Sequence, residues 1–391
     1  MHSECSHEIS IIGIGSTGSR IADKIKALFP HSSCKIIAAD TDSGELDKIR
    51  HASCIIIAEE WQKGRNCAAD IQRGERVTAH EVDRFRDIMS ETRWTIAIGS
   101  LAGGTGAGGL LTLNRIASDH DHPFLAIGIE PYQFEGSALQ ENANRAITQL
   151  SHQHTPLLVI PNEFVLASVP EDLPLPDILD QANKLIAEAI TTFIIALGAQ
   201  DSLFQGADIL LHLLRQRQVK CGCVALNAIA PESPETVIRE ALESPLLGDP
   251  EFLKQADTHF ASIIAHPGTP LKPVRQTAAI LNRLLPQSAR SYINLGSHDS
   301  VPAGLLNIFI LSLRQIGTRP QQSEGATHLL RRQAGVDAIN LGPGVLGIFA
   351  NSTPTIYGGE NLDIPTFFRK GITINLLLEE IRHIQSKRND G

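Results

Sequence analysis

None of the six cysteines, at 5, 34, 54, 67, 221 and 223, forms a C-x-x-C pair. That removes the usual metal and dithiol spacing, and Cys34 and Cys54 sit in or beside apolar runs. They read as reduced thiols of a reducing compartment. No apolar run is long enough to span a bilayer, which argues against a transmembrane helix. Met1 to Ser10 lacks the apolar core of a signal peptide, so the expected location is cytoplasmic. Positive charge is also short: Lys and Arg number 34 against 43 Asp and Glu, a net charge of −9. A nucleic-acid backbone is therefore not expected as a main partner. His2, Cys5 and His7 could form a metal set, but a polar, frayed terminus fits their composition better.

The 391 residues have room for two domains and a tail, with a composition ordinary for a globular protein. The stretch around which the chain is organised is A-G-G-T-G-A-G-G at 102–109. Glycine there permits positive φ and lets a ligand lie against the backbone. An apolar strand-like run, Trp94 to Gly99, precedes it, and Leu110, Leu111, Leu113, Ile116 and Ala117 follow at helical spacing. Strand, glycine loop and helix start together form an anion site, and the expected ligand is a phosphate chain. The alternative, for the loop alone, is a flexible segment that binds nothing.

Ile9 to Ile14 reads as a strand running into G-I-G-S-T-G at 13–18, followed by a helix that Pro30 stops. Asp40 follows a second strand, Lys35 to Ala39, so this unit alone fits the dinucleotide fingerprint. The second glycine loop favours one longer phosphate chain cradled from two sides. Further strands are expected at Ser53–Ala58, Phe124–Ile129 and Leu157–Ile160, with a polar loop over 63–74 and helices over 79–91 and 138–150. The alternation implies a parallel sheet with ligands at the carboxyl ends of its strands. Pro174 and Pro176 open a long helix with an apolar face from Ile178 to Leu197, and Gly198 stops it.

The second half alternates again, with helices over 207–214, 234–243 and 273–285 and strands over 221–228, 260–265, 291–295 and 305–313. It carries no glycine loop and reads as scaffold or partner surface. From about Arg319 the composition is polar and irregular. Near the end, L-D-I-P-T-F-F-R-K at 362–370 is a compact apolar and basic peptide. It suits a docking segment or a strand packed back on the body, and Ile374 to Ile384 suits a short helix.

Several motifs, in order, resemble the tubulin/FtsZ family. A-G-G-T-G-A-G at 102–108 resembles its glycine signature, and I-I-G-I-G-S-T-G-S at 11–19 its first phosphate loop. A-D-T-D at 39–42, P-Y-Q-F-E-G at 131–136, I-P-N at 160–162 and S-P-L-L-G-D at 244–249 resemble further family segments. N-L-D-I-P-T-F-F-R-K at 361–370 is similar to the FtsZ tail peptide that docks adaptor proteins. The resemblance covers nearly the whole chain and is nearest to bacterial FtsZ. It implies an α/β, tubulin/FtsZ-like fold. A Rossmann-like GTP-binding domain would span 1–175 and a central helix 176–198. A second α/β domain of the activation type would span 199–317, and a linker and tail 318–391. It implies GTP or GDP with Mg2+, and head-to-tail filaments of the chain with itself, as in cell division. Membrane contact would be indirect, through a tail-binding adaptor.

Carried over by position, Gly15, Ser16, Thr17, Gly103, Gly104, Thr105 and Gly106 would touch phosphates. Glu135 would accept from the ribose, and Asn162 and Asn183 would read guanine, since an amide both donates and accepts. Asn162 also suits a turn cap, and Asn183 an exposed helix position. Leu179 stands where the family often has a stacking aromatic. Departures from the pattern include Ala102 for the first signature glycine, Ser16 and Thr17 for glycines, and Arg20 for asparagine. Arg20 suits either a phosphate partner or a solvated helix residue. The loop at 64–70 keeps part of G-x-G-x-G-x-N. In the family, N-x-D-x-x-D after the central helix orients the attacking water for the neighbouring subunit. Here the corresponding residues are Leu203, Gln205 and Asp208, with Asp201 nearby. Asp208 also suits a helix N-terminal acid. The expected function is a GTP-binding filament protein with slow hydrolysis. The alternatives are a non-hydrolysing nucleotide-bound scaffold and a Rossmann-type NAD or FAD oxidoreductase.

Overall fold

The computed structural model describes residues 7–315 apart from 154, 171, 198–217 and 231–233, together with 356–357 and 360–361. The chain divides into two compact units, Met1–Thr318 and Arg319–Gly391. Within the second, the described residues pair as two short antiparallel strands, Ile356–Tyr357 with Glu360–Asn361.

The first unit opens with β1 (His7–Ile14), α1 (Gly15–Leu28), β2 (Lys35–Asp40), α2 (Ser43–Leu46) and β3 (Ser53–Ile56). Helices α3 (Glu59–Gln62), α4 (Ile71–Thr78) and α5 (Val82–Ser90) lead into β4 (Thr92–Ser100) and α6 (Gly104–Asp119). Then come β5 (Phe124–Ile129), α7 (Ser137–His152), β6 (Leu157–Ile160), α8 (Asn162–Leu166) and the long α9 (Leu175–Leu197). After it stand β7 (Gln218–Ile229), α10 (Pro234–Leu242), α11 (Pro250–Gln255), β8 (Thr258–Ala265), α12 (Leu271–Leu284), β9 (Arg290–Ser297) and β10 (Leu306–Gln315).

All ten strands form one sheet in the order β3-β2-β1-β4-β5-β6-β7-β10-β8-β9. Strands β1 to β7 pair in parallel, and β10 runs antiparallel to both β7 and β8. Parallel strands are covered on both faces, which is why they read as unbroken apolar runs. In β1, Ile9 and Ile11 enter one core with α1 and α9, while Ile12 and Ile14 enter the opposite core with α5 and α6. Ile96 and Ile98 of β4 join the first core and Ala97 the second. Burying one such isoleucine contributes about 1.5–3 kcal/mol.

Helix α9 has 23 residues, a span of about 35 Å at 1.5 Å per residue. Its Ile186, Ile190 and Phe193 share the first core with β1, β4, β7 and β10, and Phe193 meets Phe309 with ring centroids 5.4 Å apart. The sheet passes from β6 to β7 without a break, so both halves of the unit share a core along α9. The expected loop over 63–74 ends early, because Asp70 caps α4 by accepting from the Arg73 N–H. The expected helix at 79–91 is a 3-10 turn, Ala79–Glu81, followed by α5. The expected helices at 207–214 and 374–384 and the docking peptide's side chains lie outside the described residues.

Candidate functional site

Strand order reverses between β1 and β4, the point at which open α/β sheets bind ligands. Each of these strands runs straight into a helix, β1 into α1 at Gly15 and β4 through a short turn into α6 at Gly104. The N-cap positions are Ile14 and Gly103, and no side chain caps either helix. A helix start leaves backbone N–H groups without intrahelical partners. Both uncapped starts border one cavity of about 300 Å³, which Gly15, Ser16, Thr17, Gly103, Gly104, Thr105 and Gly106 line. The sequence-derived phosphate candidates are thus brought together around one space.

Glycine is required here for a different reason than expected. None of Gly103, Gly104, Gly106, Gly108 and Gly109 has positive φ, and α6 already includes all but the first. Gly104, Gly106 and Gly108 are crowded by neighbouring backbone and Gly109 by the Ile14 side chain, whereas Gly103 has room for a Cβ. A Cβ on Gly106 would lie 2.7 Å from the Ser100 carbonyl, and one on Gly104 would lie 2.7 Å from Cys67 Cβ. On Gly108 it would strike the backbone of Ile71 and Glu75 in α4. Gly15 alone of the phosphate candidates is left-handed, at φ +72°, and its Cβ would sit 2.8 Å from the Gly106 nitrogen. The two helix starts touch through Gly15 and Gly106, which lets both face one cavity.

Three loops complete the walls. Thr41 Oγ1 and Thr105 Oγ1 are 2.8 Å apart, joining the end of β2 to the start of α6. The Asn142 side-chain amide donates to Ala69 O at 2.8 Å and Ala102 O at 3.3 Å, fastening the 67–70 loop to the glycine turn. Asn66 Oδ1 accepts from the Ala68 N–H at 3.0 Å. Ala68 and Ala69 are both left-handed, at φ 47° and 62°. Asn66, Ala68, Ala69 and Ser100 line the cavity but were not assigned roles from sequence. The partial glycine pattern at 64–70 was the available signal.

Asp40, at the end of β2, is also in the wall and is 1% exposed. Its Oδ2 accepts from Ser16 Oγ at 2.9 Å and its Oδ1 from the Thr41 N–H at 2.7 Å. Burial raises its pKa, the Ser16 and backbone donors act against that, and the Asp42 charge adds to the rise. An aspartate so enclosed is not free to bind a ribose 2′-hydroxyl, as a dinucleotide site would require.

The remaining candidates lie elsewhere. Arg20 Nε donates to Glu45 at 3.1 Å, so its guanidinium is engaged by a carboxylate. Burial alone would raise the Glu45 pKa, but Lys48 and Arg20 outweigh it and hold the carboxyl low. Arg20 and Asn183 line a second cavity of about 400 Å³ with Leu175 and Leu179, and Lys24 bridges it to Asp180 at 2.7 Å. Glu135 accepts from the Tyr132 N–H at 2.8 Å, closing its own turn. Asn162 opens α8 and lines a third depression with Glu130 and Lys220, which pair at 2.7 Å. Asp201, Gln205 and Asp208 lie outside the described residues.

Residues 8–170 match the model of the Tubulin/FtsZ family, GTPase domain. Cell division protein FtsZ of Helicobacter pylori (strain J99 / ATCC 700824) is 21% identical over 308 residues, 78% of this chain and 79% of that protein. Among solved structures, the empty FtsZ dimer of M. jannaschii aligns with a TM-score of 0.65 at 18% identity, covering 81% of this chain and 94% of that one. The GTPgS-bound protofilament of CetZ2 from Haloferax volcanii aligns with a TM-score of 0.61 at 19% identity, covering 83% and 98%. These likenesses show the fold.

Proposed function

We propose, from the premise that residues 8–170 are a Tubulin/FtsZ-family GTPase domain and the chain a divergent FtsZ-like protein, that it binds GTP and GDP and assembles head-to-tail into filaments with slow hydrolysis. The observation that carries this reading is the convergence of two uncapped helix N-termini on one cavity lined by hydroxyls and glycine backbone. Each terminus stabilises an anion by about 0.3–1 kcal/mol at an exposed site, and up to about 2 kcal/mol where partly buried. A phosphate chain is the ligand that uses both.

Gly15, Ser16, Thr17, Gly103, Gly104 and Gly106 then supply backbone donors, and Thr105 is held in place by Thr41. Asn183 offers its amide to the base beside Leu179 and Leu175, whose aliphatic side chains stack more weakly than an aromatic. Arg20 borders the base side rather than the phosphates, because Glu45 holds it. Glu135 would have to leave Tyr132 to reach a ribose, and Asn162 remains the second base contact in the family pattern. Mg2+ supplies charge neutralisation on the phosphates. Among the described residues no three His, Cys, Asp or Glu gather to hold a metal, so it would be carried by the nucleotide.

Hydrolysis in this scheme needs Asp208 from the next subunit, with Gln205 in place of a carboxylate and Asp201 as its substitute where the loop is shifted. A neutral amide attracts Mg2+ and polarises water less than a carboxylate, which supports slow turnover. The 199–317 segment is assigned as the activation-type domain and 361–370 as an adaptor-docking peptide. Among the described residues no helix is long and apolar enough to cross a membrane.

Sedimentation with GTP, GDP or no nucleotide, with phosphate release read from the same tubes, tests this. Pelleting with GTP and little release is expected. Rapid release would remove the slow-hydrolysis reading, and failure to pellet would remove the filament.

A further inference from the structure

We propose that Asp40 takes up a proton when a nucleotide's phosphate chain enters the cavity, and that this proton frees the Ser16 hydroxyl to donate to the phosphates. The proposal rests on the nucleotide reading above and deepens it.

Ser16 lines the cavity at the start of α1, yet its hydrogen is directed to Asp40 Oδ2. A serine hydroxyl has one hydrogen. While it serves Asp40, Ser16 shows a phosphate only lone pairs, which repel it. The ionised Asp40 is buried in the same wall, so its negative charge lies beside the space the anion must enter. Repulsion between like charges is strongest where water is excluded. Both obstacles disappear in one step. A proton from solvent bonds to Oδ2, the new O–H donates to Ser16 Oγ, and the Ser16 hydrogen turns to a phosphate oxygen. One O–H bond forms, no covalent bond breaks within the protein, and one negative charge is lost.

Among the described residues no basic side chain pairs with Asp40, and the Thr41 hydroxyl and the Asp42 N–H reach only its Oδ1, at 3.5 and 3.3 Å. On α1, Arg20 is held by Glu45. Asp42, leading into α2, adds negative charge, and its carboxylate accepts from the Gly44 and Glu45 N–H groups. In the 63–70 loop, Cys67 approaches Thr41 Oγ1 at 3.8 Å rather than the carboxylate. From α6 the Thr105 hydroxyl pairs with Thr41 Oγ1 at 2.8 Å. The ends of β1 and β4 bring Ile14 and Ser100, which carry no charge. Burial and Asp42 already favour the protonated acid.

The test is calorimetric titration of the full chain with GDP, in buffers of different ionisation heat, for the wild type and Asp40→Asn. The carboxamide imitates the protonated acid without titrating. Protons taken up by the nucleotide itself are common to both proteins and cancel. The wild type should take up about one proton more than Asp40→Asn, and its GDP affinity should fall by up to about tenfold per pH unit relative to the variant as pH rises. Equal proton uptake and parallel pH profiles would overturn the proposal. So would an affinity gain from Mg2+ confined to the wild type with no extra proton, which would make Asp40 a metal ligand. If Asp40→Asn loses its cooperative melt, difference infrared spectra of the wild type decide. A carboxylic-acid C=O band gained on GDP binding supports the proposal, and its absence overturns it. No GDP heat from either protein would remove the nucleotide reading itself, whereas GDP binding without the proton difference removes this proposal alone.

Discussion

Ala68 and Ala69 hold φ at 47° and 62°, a region that costs an L-residue about 1–2 kcal/mol. They line the cavity, and strain of this kind gathers at functional sites. Ala68→Gly should therefore raise stability by about 1 kcal/mol, read as a higher melting temperature. A lower one would mean that the methyl group packs usefully. Three histidines bear on pH. Burial holds the pKa of His122, His259 and His298 below the ordinary value, against Asp257 for His259 and Asp299 for His298. His259 is 1% exposed, with Nδ1 2.9 Å from Ser312 Oγ and no partner for Nε2 among the described residues. In the folded state these rings take up protons at lower pH than in the unfolded chain, which does so from about pH 6.5. Stability is full above that pH and should fall as pH drops through it, seen as lower urea midpoints in mild acid. His259→Gln should lessen the fall, and an unchanged acid slope would contradict the assignment. The grouping of Gly15, Ser16, Thr17 and the 103–106 stretch around one cavity was legible in the sequence because adjacent motifs carry them. Asp40's bond to Ser16, 24 residues away, was not, since it depends on the pairing of β1 with β2.

Helix α6 shows where element-level reading succeeds and where it stops. The glycine run before an apolar helix marked the cavity wall, but the helix begins at Gly104 rather than after the run. Two of its glycines, Gly104 and Gly108, answer to α4 and the loop before it, which local sequence does not reveal. Gly74 faces the Gly104 carbonyl, and Gly108 faces the Ile71 and Glu75 backbone, so α4 and α6 cross almost without side chains between them. Gly108→Ala should cost about 1–3 kcal/mol of stability and weaken GDP binding, because α4 carries the 64–70 loop. Full affinity in a folded Gly108→Ala protein would show that the loop is not set by this crossing. Asn142→Ala should act on the loop alone. Two hydrogen bonds are lost, at about 0.5–1.5 kcal/mol each, and GDP affinity should fall.

At the scale of the molecule, the continuous sheet was the part least visible in the sequence. Strands β6 and β7 are separated by α8 and the long α9, and no local pattern announces that they pair. Alternating strands and helices did announce a parallel sheet, since that follows from hydrophobic period alone. The shared core has a consequence for the family-matched region. A fragment of residues 1–170 would expose the β6 edge and lose Ile186, Ile190 and Phe193 from the core. Such an uncovered edge and face should make it aggregate, measured as loss of the monomer peak in size-exclusion chromatography. A stable monomeric fragment would contradict the sharing of a core along α9.

The most direct measurement is equilibrium binding of GDP, ADP and NAD to the purified full chain, with tripolyphosphate as competitor. GDP should saturate one site, tripolyphosphate should displace it, and ADP and NAD should bind at least about tenfold more weakly, a difference of about 1.4 kcal/mol. NAD binding as tightly as GDP, or GDP binding that tripolyphosphate leaves untouched, would contradict a guanine nucleotide held by its phosphates between α1 and α6.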